Sequence, residues 1–137
     1  MDNTSENAPT ILLVDDEARV RTIACRILRS HGYQVVEAGD GPSALEVASK
    51  QPNGIDLLIT DVDMPTMLGS ELAERMATQH PRVQVVFMSA YGEEAALHLC
   101  GPRISFLAKP FLASQLVAET ERGLARARTS EHSESQS

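Results

Sequence analysis

Leu57-Leu58-Ile59-Thr60-Asp61 is the stretch on which the fold turns. Four residues suited to a buried strand stop at a carboxylate, and the turn Val62-Asp63-Met64-Pro65 follows at once. A short apolar run bounded by turn residues reads as a strand buried on both faces, delivering its last side chain to the edge of a sheet. The same pattern stands earlier, where Ile11-Leu12-Leu13-Val14 stops at Asp15-Asp16. Two strands that each end in acid point to one shared site.

Working outward, three more runs fit the same reading: Gln34–Glu37, Val83–Met88 and Ile104–Leu107. Helical patterns alternate with them. The first follows Asp16, with Val20, Ile23, Ala24, Ile27 and Leu28 at the spacing of one buried face and Gly32 just beyond, where a C-cap belongs. A second starts at Pro42, a good first-turn residue, and carries Ala44, Leu45 and Ala48. A third runs from Gly69 to about His80, with Leu72, Ala73 and Met76 inward and Pro81 stopping it. A fourth spans Glu93 to Cys100 before Gly101-Pro102, and the last spans Ala113 to about Arg126, with Leu116, Val117, Thr120 and Leu124 inward.

Five β–α units in a row predict an α/β fold, a single doubly wound (βα)5 domain with a flavodoxin-like five-stranded parallel sheet in the order 2-1-3-4-5. Right-handed crossovers place every strand's C-terminal end on one edge, where such folds bind ligands. The polar stretch 1–9 reads as an N-terminal tail, 10–126 as the domain, and 127–137, which after Ala127 has no apolar residue, as a disordered C-terminal tail.

Composition narrows the function. At 137 residues the chain holds one domain's worth of core. A formal charge of −7 and the lack of Trp argue against direct nucleic-acid binding, which needs clustered Lys and Arg. No run approaches the ~20 apolar residues of a membrane span, and the polar start is no signal peptide, so a cytoplasmic setting is expected. Cys25 and Cys100 have no CxxC spacing and are expected as reduced thiols packed on helices. His31, His80, His98 and His132 lack ligand spacing and read as helix-end or surface residues, so zinc is not expected.

Four strand ends then supply a constellation. Strand one gives Asp15 and Asp16, strand three Asp61, strand four Ser89, and strand five runs on to Lys109-Pro110. Strand two offers only Glu37 and Ala38 and reads as an outer strand. Three packed carboxylates repel one another and call for a cation, and Mg²⁺ suits an all-oxygen set. The chemistry that needs this set is phosphoryl transfer to a carboxylate, with Asp61 as nucleophile. Mg²⁺, the Lys109 ammonium and the Ser89 hydroxyl would each take one oxygen of the migrating group. Singly, each residue has a duller reading, since Asp16 and Ser89 could cap helices and Lys109 could be a solvated loop residue. That reading does not explain why all five fall on one edge.

Together, Ile-Leu-Leu-Val-Asp-Asp-Glu at 11–17, Asp61-x-x-Met64-Pro65-x-x-x-Gly69, Met88-Ser89-Ala90 and Lys109-Pro110-Phe111 resemble the receiver domain of two-component response regulators, from about Thr10 to Leu124. The resemblance implies Asp61 as phosphoacceptor, with Asp16, Asp61 and the backbone carbonyl of Asp63 as Mg²⁺ ligands and Asp15 acting on the metal mainly through water. It also implies a cis peptide between Lys109 and Pro110, and a switch in which Ser89 is coupled to Phe106, three residues before the lysine. The face formed by the fourth helix, fifth strand and fifth helix would then change shape. The implied phosphodonor is a phosphohistidine on a histidine kinase or phosphotransfer domain, docking along the first helix near Ile23 or Ile27. The first helix and Phe87-Met88-Ser89-Ala90-Tyr91-Gly92 resemble receivers at the C-terminus of hybrid histidine kinases, so either a single-domain regulator or a piece of a larger protein is expected. The domain would catalyse only its own phosphorylation and dephosphorylation.

Two departures bear on lifetime. Asp63 adds negative charge where the family often has a neutral side chain, and Tyr91 is bulky enough to shield an acyl phosphate from water, so slow self-dephosphorylation is expected. Asp61-Val62-Asp63 also resembles the Asp-x-Asp motif of haloacid-dehalogenase-type phosphatases, with Asp63 as general acid/base, and this hydrolase is the competing reading. Against it, that motif normally follows the first strand, and its later acidic metal-binding motif is missing after Lys109. A flavodoxin-type FMN site fits worse, because the first loop is Asp-Asp-Glu-Ala-Arg rather than a Gly/Ser/Thr phosphate cradle.

Overall fold

Strands β1 (Thr10–Val14), β2 (Gln34–Ala38), β3 (Leu57–Asp61), β4 (Gln84–Ser89) and β5 (Ile104–Ala108) form one parallel sheet in the order β2-β1-β3-β4-β5. The computed structural model describes residues 8–90 and 102–136, with side chains through 127. Helices α1 (Ala18–Ser30), α2 (Gly41–Ser49), α3 (Gly69–Gln79) and α4 (Ala113–Gln136) cover it. The helix expected over 93–100, together with Tyr91, His98 and Cys100, lies outside the described residues.

The alternation of side chains along each strand divides the core in two. Leu12, Val14, Leu58, Val85 and Phe87 face one cluster with Leu72 and Met76 of α3 and Ala44 and Ala48 of α2. Ile11, Leu13, Leu57, Ile59, Val86 and Met88 face the other, with Ala24 and Leu28 of α1 and Leu116 and Leu124 of α4. Burial on both faces is why β1, β3 and β4 read as continuous apolar runs rather than alternating ones. Each fully buried Leu or Ile contributes roughly 1.5–3 kcal/mol from burial alone.

The helix ends follow local chemistry. Asp40 caps α2, accepting the Ser43 N–H at 2.8 Å, and Pro42 sits in its first turn. Gly32 follows the end of α1 with φ +89°, a left-handed conformation that favours glycine, while the Tyr33 N–H reaches back to the Leu28 carbonyl. His31 and His80 sit at the C-caps of α1 and α3, the helix-end positions expected of them.

One expectation is corrected. The buried stripe of α1 is Ala24, Cys25 and Leu28, and Ile23 is 57% exposed. The face that packs carries the small Ala24 and Cys25 beside Leu28, which leaves Ile23 on the solvent side of α1. At the other end, where a tail was expected from residue 127, α4 continues to Gln136, and no Gly or Pro follows Gly123.

Candidate functional site

The parallel registers bring the strand ends to one level. Val14 pairs with Thr60 across β1 and β3, Asp61 pairs with Met88, and Ser89 pairs with Ala108. The residues just beyond, Asp15, Asp16, Asp61, Ser89 and Lys109, therefore meet on the C-terminal edge. Carboxylate oxygens of Asp15, Asp16 and Asp61 lie within 4.8 Å of one another. The Lys109 ammonium stands between two of them, 2.8 Å from Asp15 Oδ2 and 3.0 Å from Asp61 Oδ2, with Glu17 Oε1 at 3.9 Å.

Each group is held by its surroundings. Asp15 is fully buried, and its Oδ1 accepts the Glu17 N–H at 2.9 Å where α1 begins. Asp16, which had seemed a possible cap for that helix, does not cap it: the N-cap residue is Glu17. Ser89 is buried, and its carbonyl accepts the Lys109 N–H at 2.9 Å, which ties the end of β4 to the lysine. The Lys109–Pro110 bond is cis. The loop after Asp61 is closed by Val62 N–H on the Met88 carbonyl at 3.0 Å and Gly69 N–H on the Val62 carbonyl at 2.9 Å. A Cβ at Gly69 would collide with the Asp61 carbonyl oxygen and come within 3.1 Å of its carbon, so only glycine allows this close approach.

The electrostatics are unbalanced. Burial pushes the Asp61 carboxyl above its ordinary range, and Asp15 and Asp16 add to that against the hydrogen bond and charge of Lys109. For Lys109, burial works against the charge, but hydrogen bonds and attraction from Asp15 and Asp61 outweigh it and raise its pKa. Three carboxylates against one ammonium leave two negative charges in excess. The donors are all hard oxygens, so the residues fit a small divalent cation.

Phe106 is half-buried and stacks on Phe87, with ring centroids 6.0 Å apart and planes at 28°. It also lines a cleft of about 270 Å³ with Pro110, Gln115 and Glu119. The Asp63 side chain is exposed and stands outside the group of carboxylates that meet. Glu17 was passed over in the sequence, although its place directly after Asp15-Asp16 was the signal that it would face the same lysine.

The profile of the response regulator receiver domain matches residues 11–121. The chain belongs to this family. Over 109 residues it is 40% identical to the sensor kinase CckA of Brucella abortus, a match covering 78% of this chain and 12% of that protein. It is 35% identical over 83 residues to the sporulation initiation phosphotransferase F of Bacillus subtilis, covering 61% of this chain and 65% of the relative. The nitrogen assimilation regulatory protein NtrX of Azorhizobium caulinodans is 36% identical, with 26% of its length covered. This receiver thus spans only part of each of these relatives.

Solved structures agree. The crystal structure of the receiver domain from the hybrid histidine kinase CckA superposes with a TM-score of 0.73 at 36% identity, covering 84% of this chain and 98% of that one. NtrX from Brucella abortus, crystallised with ADP, superposes with a TM-score of 0.86 at 28% identity, covering 95% of this receiver and 30% of NtrX. Among the described residues no helix is long and apolar enough to cross a membrane.

Proposed function

We propose that this receiver takes a phosphoryl group from a phosphohistidine onto Asp61 and signals by a change of surface, in a cytoplasmic two-component pathway. The observation that carries this reading is the Lys109 ammonium set between the Asp15 and Asp61 carboxylates at 2.8 and 3.0 Å. In the transfer, an Asp61 oxygen attacks phosphorus and the P–N bond to the donor imidazole breaks. The bonding pair goes to the imidazole nitrogen, which takes up a proton. Lys109, already beside Asp61, pairs with one phosphoryl oxygen, and the Ser89 hydroxyl takes another. Asp16, Asp61 and the Asp63 backbone carbonyl would hold Mg²⁺, with Asp15 acting through water. The ion supplies charge neutralisation between the carboxylates and the incoming phosphoryl group. Hydrolysis by water returns the free carboxylate, which makes the domain a regulatory acceptor rather than a turnover enzyme.

Docking and output follow from the same edge. A cleft of about 380 Å³ beside the acids is lined by Glu17, Val20, Ile23, Lys109, Pro110 and Phe111, and Ile23 is exposed in it. It is a suitable seat for a histidine kinase or phosphotransfer domain. When Ser89 is drawn toward the phosphoryl group, Phe106 turns inward and shifts an existing equilibrium of the surface that β5 and α4 present. Incubation with Mg²⁺ and acetyl phosphate, followed by intact mass, is the test. One added phosphoryl group in wild type and none in Asp61→Asn is expected. No adduct with any donor overturns the reading, and multiple turnover of p-nitrophenyl phosphate would favour the hydrolase instead.

A further inference from the structure

The inward side of α1 begins with a charge. Arg21 lies three, four and seven residues before Ala24, Cys25 and Leu28, so it continues their buried stripe toward the acid-bearing edge. Its Nη1 donates to the Asp15 carbonyl oxygen at 2.6 Å, and its Nε donates to Glu37 Oε1 at 3.1 Å. That carbonyl belongs to the peptide joining Asp15 to Asp16. The N–H of Asp15 is held as well, donating to the Ala38 carbonyl at 3.3 Å.

Strand β2 supplies the rest of the seat. The second oxygen of Glu37 lies 3.6 Å from Arg29 Nη2, which donates to the Val35 carbonyl at 3.0 Å. At Gly39 a Cβ would come within 3.2 Å of Arg21 Nη1, so the bare backbone there leaves room for the guanidinium. Asp15 has its side chain fixed by burial, the Glu17 N–H and Lys109. Asp16 is exposed, and the peptide that leads into it is the one Arg21 grips.

We propose that Arg21, oriented by Glu37, is a positioning residue for the cation site, acting through the Asp15–Asp16 peptide. The inference rests on the reading that Asp16 and Asp61 hold Mg²⁺, with Asp15 acting through water. A planar fork with fixed donors suits the role, because one guanidinium bridges a carbonyl on one side and a carboxylate on the other. The outer strand β2 therefore belongs to the site at one remove.

The test is calorimetric titration of MgCl₂ into the full chain, with amide spectra of the metal-free protein alongside. Arg21→Ala is expected to weaken Mg²⁺ binding roughly tenfold or more, the scale on which supporting partners of metal ligands act. Arg21→Lys keeps the charge but not the fork, and should recover only part of the affinity. In the metal-free spectra the Asp16 amide moves in Arg21→Ala while the Leu58 and Val86 amides stay in place. Should Arg21→Ala fail to fold, Gly39→Ala crowds the guanidinium without removing it and should give a smaller loss in the same direction. Unchanged affinity in a folded Arg21→Ala, or full recovery in Arg21→Lys, overturns the positioning role. Failure of the wild type to bind Mg²⁺ overturns the cation reading itself, so the two failures are distinct.

Discussion

Asp56 and Asp61 flank the same strand, one immediately before β3 and the other at its last position, and they do opposite things. Asp56 is absorbed into the fold: its Oδ2 accepts the Thr10 N–H at 2.8 Å, its own N–H donates to the Thr10 carbonyl at 2.9 Å, and its carbonyl accepts from Gln84 at 3.1 Å. It fastens three strand starts together. Asp61 shares one ammonium with another acid and stands near a third, with its carboxyl pushed up by burial. An acid at a strand start finds N–H groups waiting in the sheet, whereas acids gathered at the strand ends outnumber their cation. The surplus charge gathers on the edge where phosphoryl transfer is proposed.

The largest break in that contrast should come from Lys109→Ala, which removes the counter-charge from buried Asp15 and the clamp from Asp61. Phosphoryl uptake should slow by about 100-fold or more, followed by intact mass against time. Next is Gly69→Ala. Its Cβ overlaps the Asp61 carbonyl, so the acceptor loop must shift, at about 1–3 kcal/mol of stability by urea unfolding and with weaker Mg²⁺ binding. Asp56→Ala should cost about 1 kcal/mol through the lost Thr10 bond yet leave Mg²⁺ affinity and uptake as in wild type. If uptake also falls, the two ends of β3 are not independent.

Asp61→Asn sharpens the contrast in the other direction. Relieving the crowded carboxylates should raise the melting temperature of the metal-free protein by about 2–5 °C, and Mg²⁺ should narrow the gap by stabilising wild type more.

The last effect is confined to alkaline pH and concerns Cys25. Burial, with Glu37 adding to it, raises this thiol from 9.0 to about 11. The folded protein holds that proton more tightly than the unfolded chain, so the contribution is present below pH 9.0 and lost as the pH rises toward about 11. The gap in stability between wild type and Cys25→Ala should shrink over that window.

Asp15, Asp16, Asp61, Ser89 and Lys109 were legible because parallel strands put every C-terminal end on one edge, and an apolar run that stops at a polar residue names that residue without further help. Strand limits followed from the same runs, and the sheet order from the flavodoxin-like fold class. Arg21 was not legible. The face of α1 was drawn from apolar residues, and an arginine that begins a buried stripe carries no apolar signal. Ile23 was assigned inward for the same reason and is exposed. Glu37 looked like an outer-strand acid because its partner lies sixteen residues away, on a helix whose rotation only packing determines.

Chemical mapping of the adduct tests most directly whether Asp61 is the acceptor. After phosphorylation in Mg²⁺, borohydride reduction converts an aspartyl phosphate to homoserine, and peptide sequencing by mass spectrometry finds the position. The account predicts homoserine at residue 61 alone, dependent on Mg²⁺ and absent from an untreated control. Homoserine at Asp63 or Asp56, or an adduct formed equally well without Mg²⁺, would contradict it.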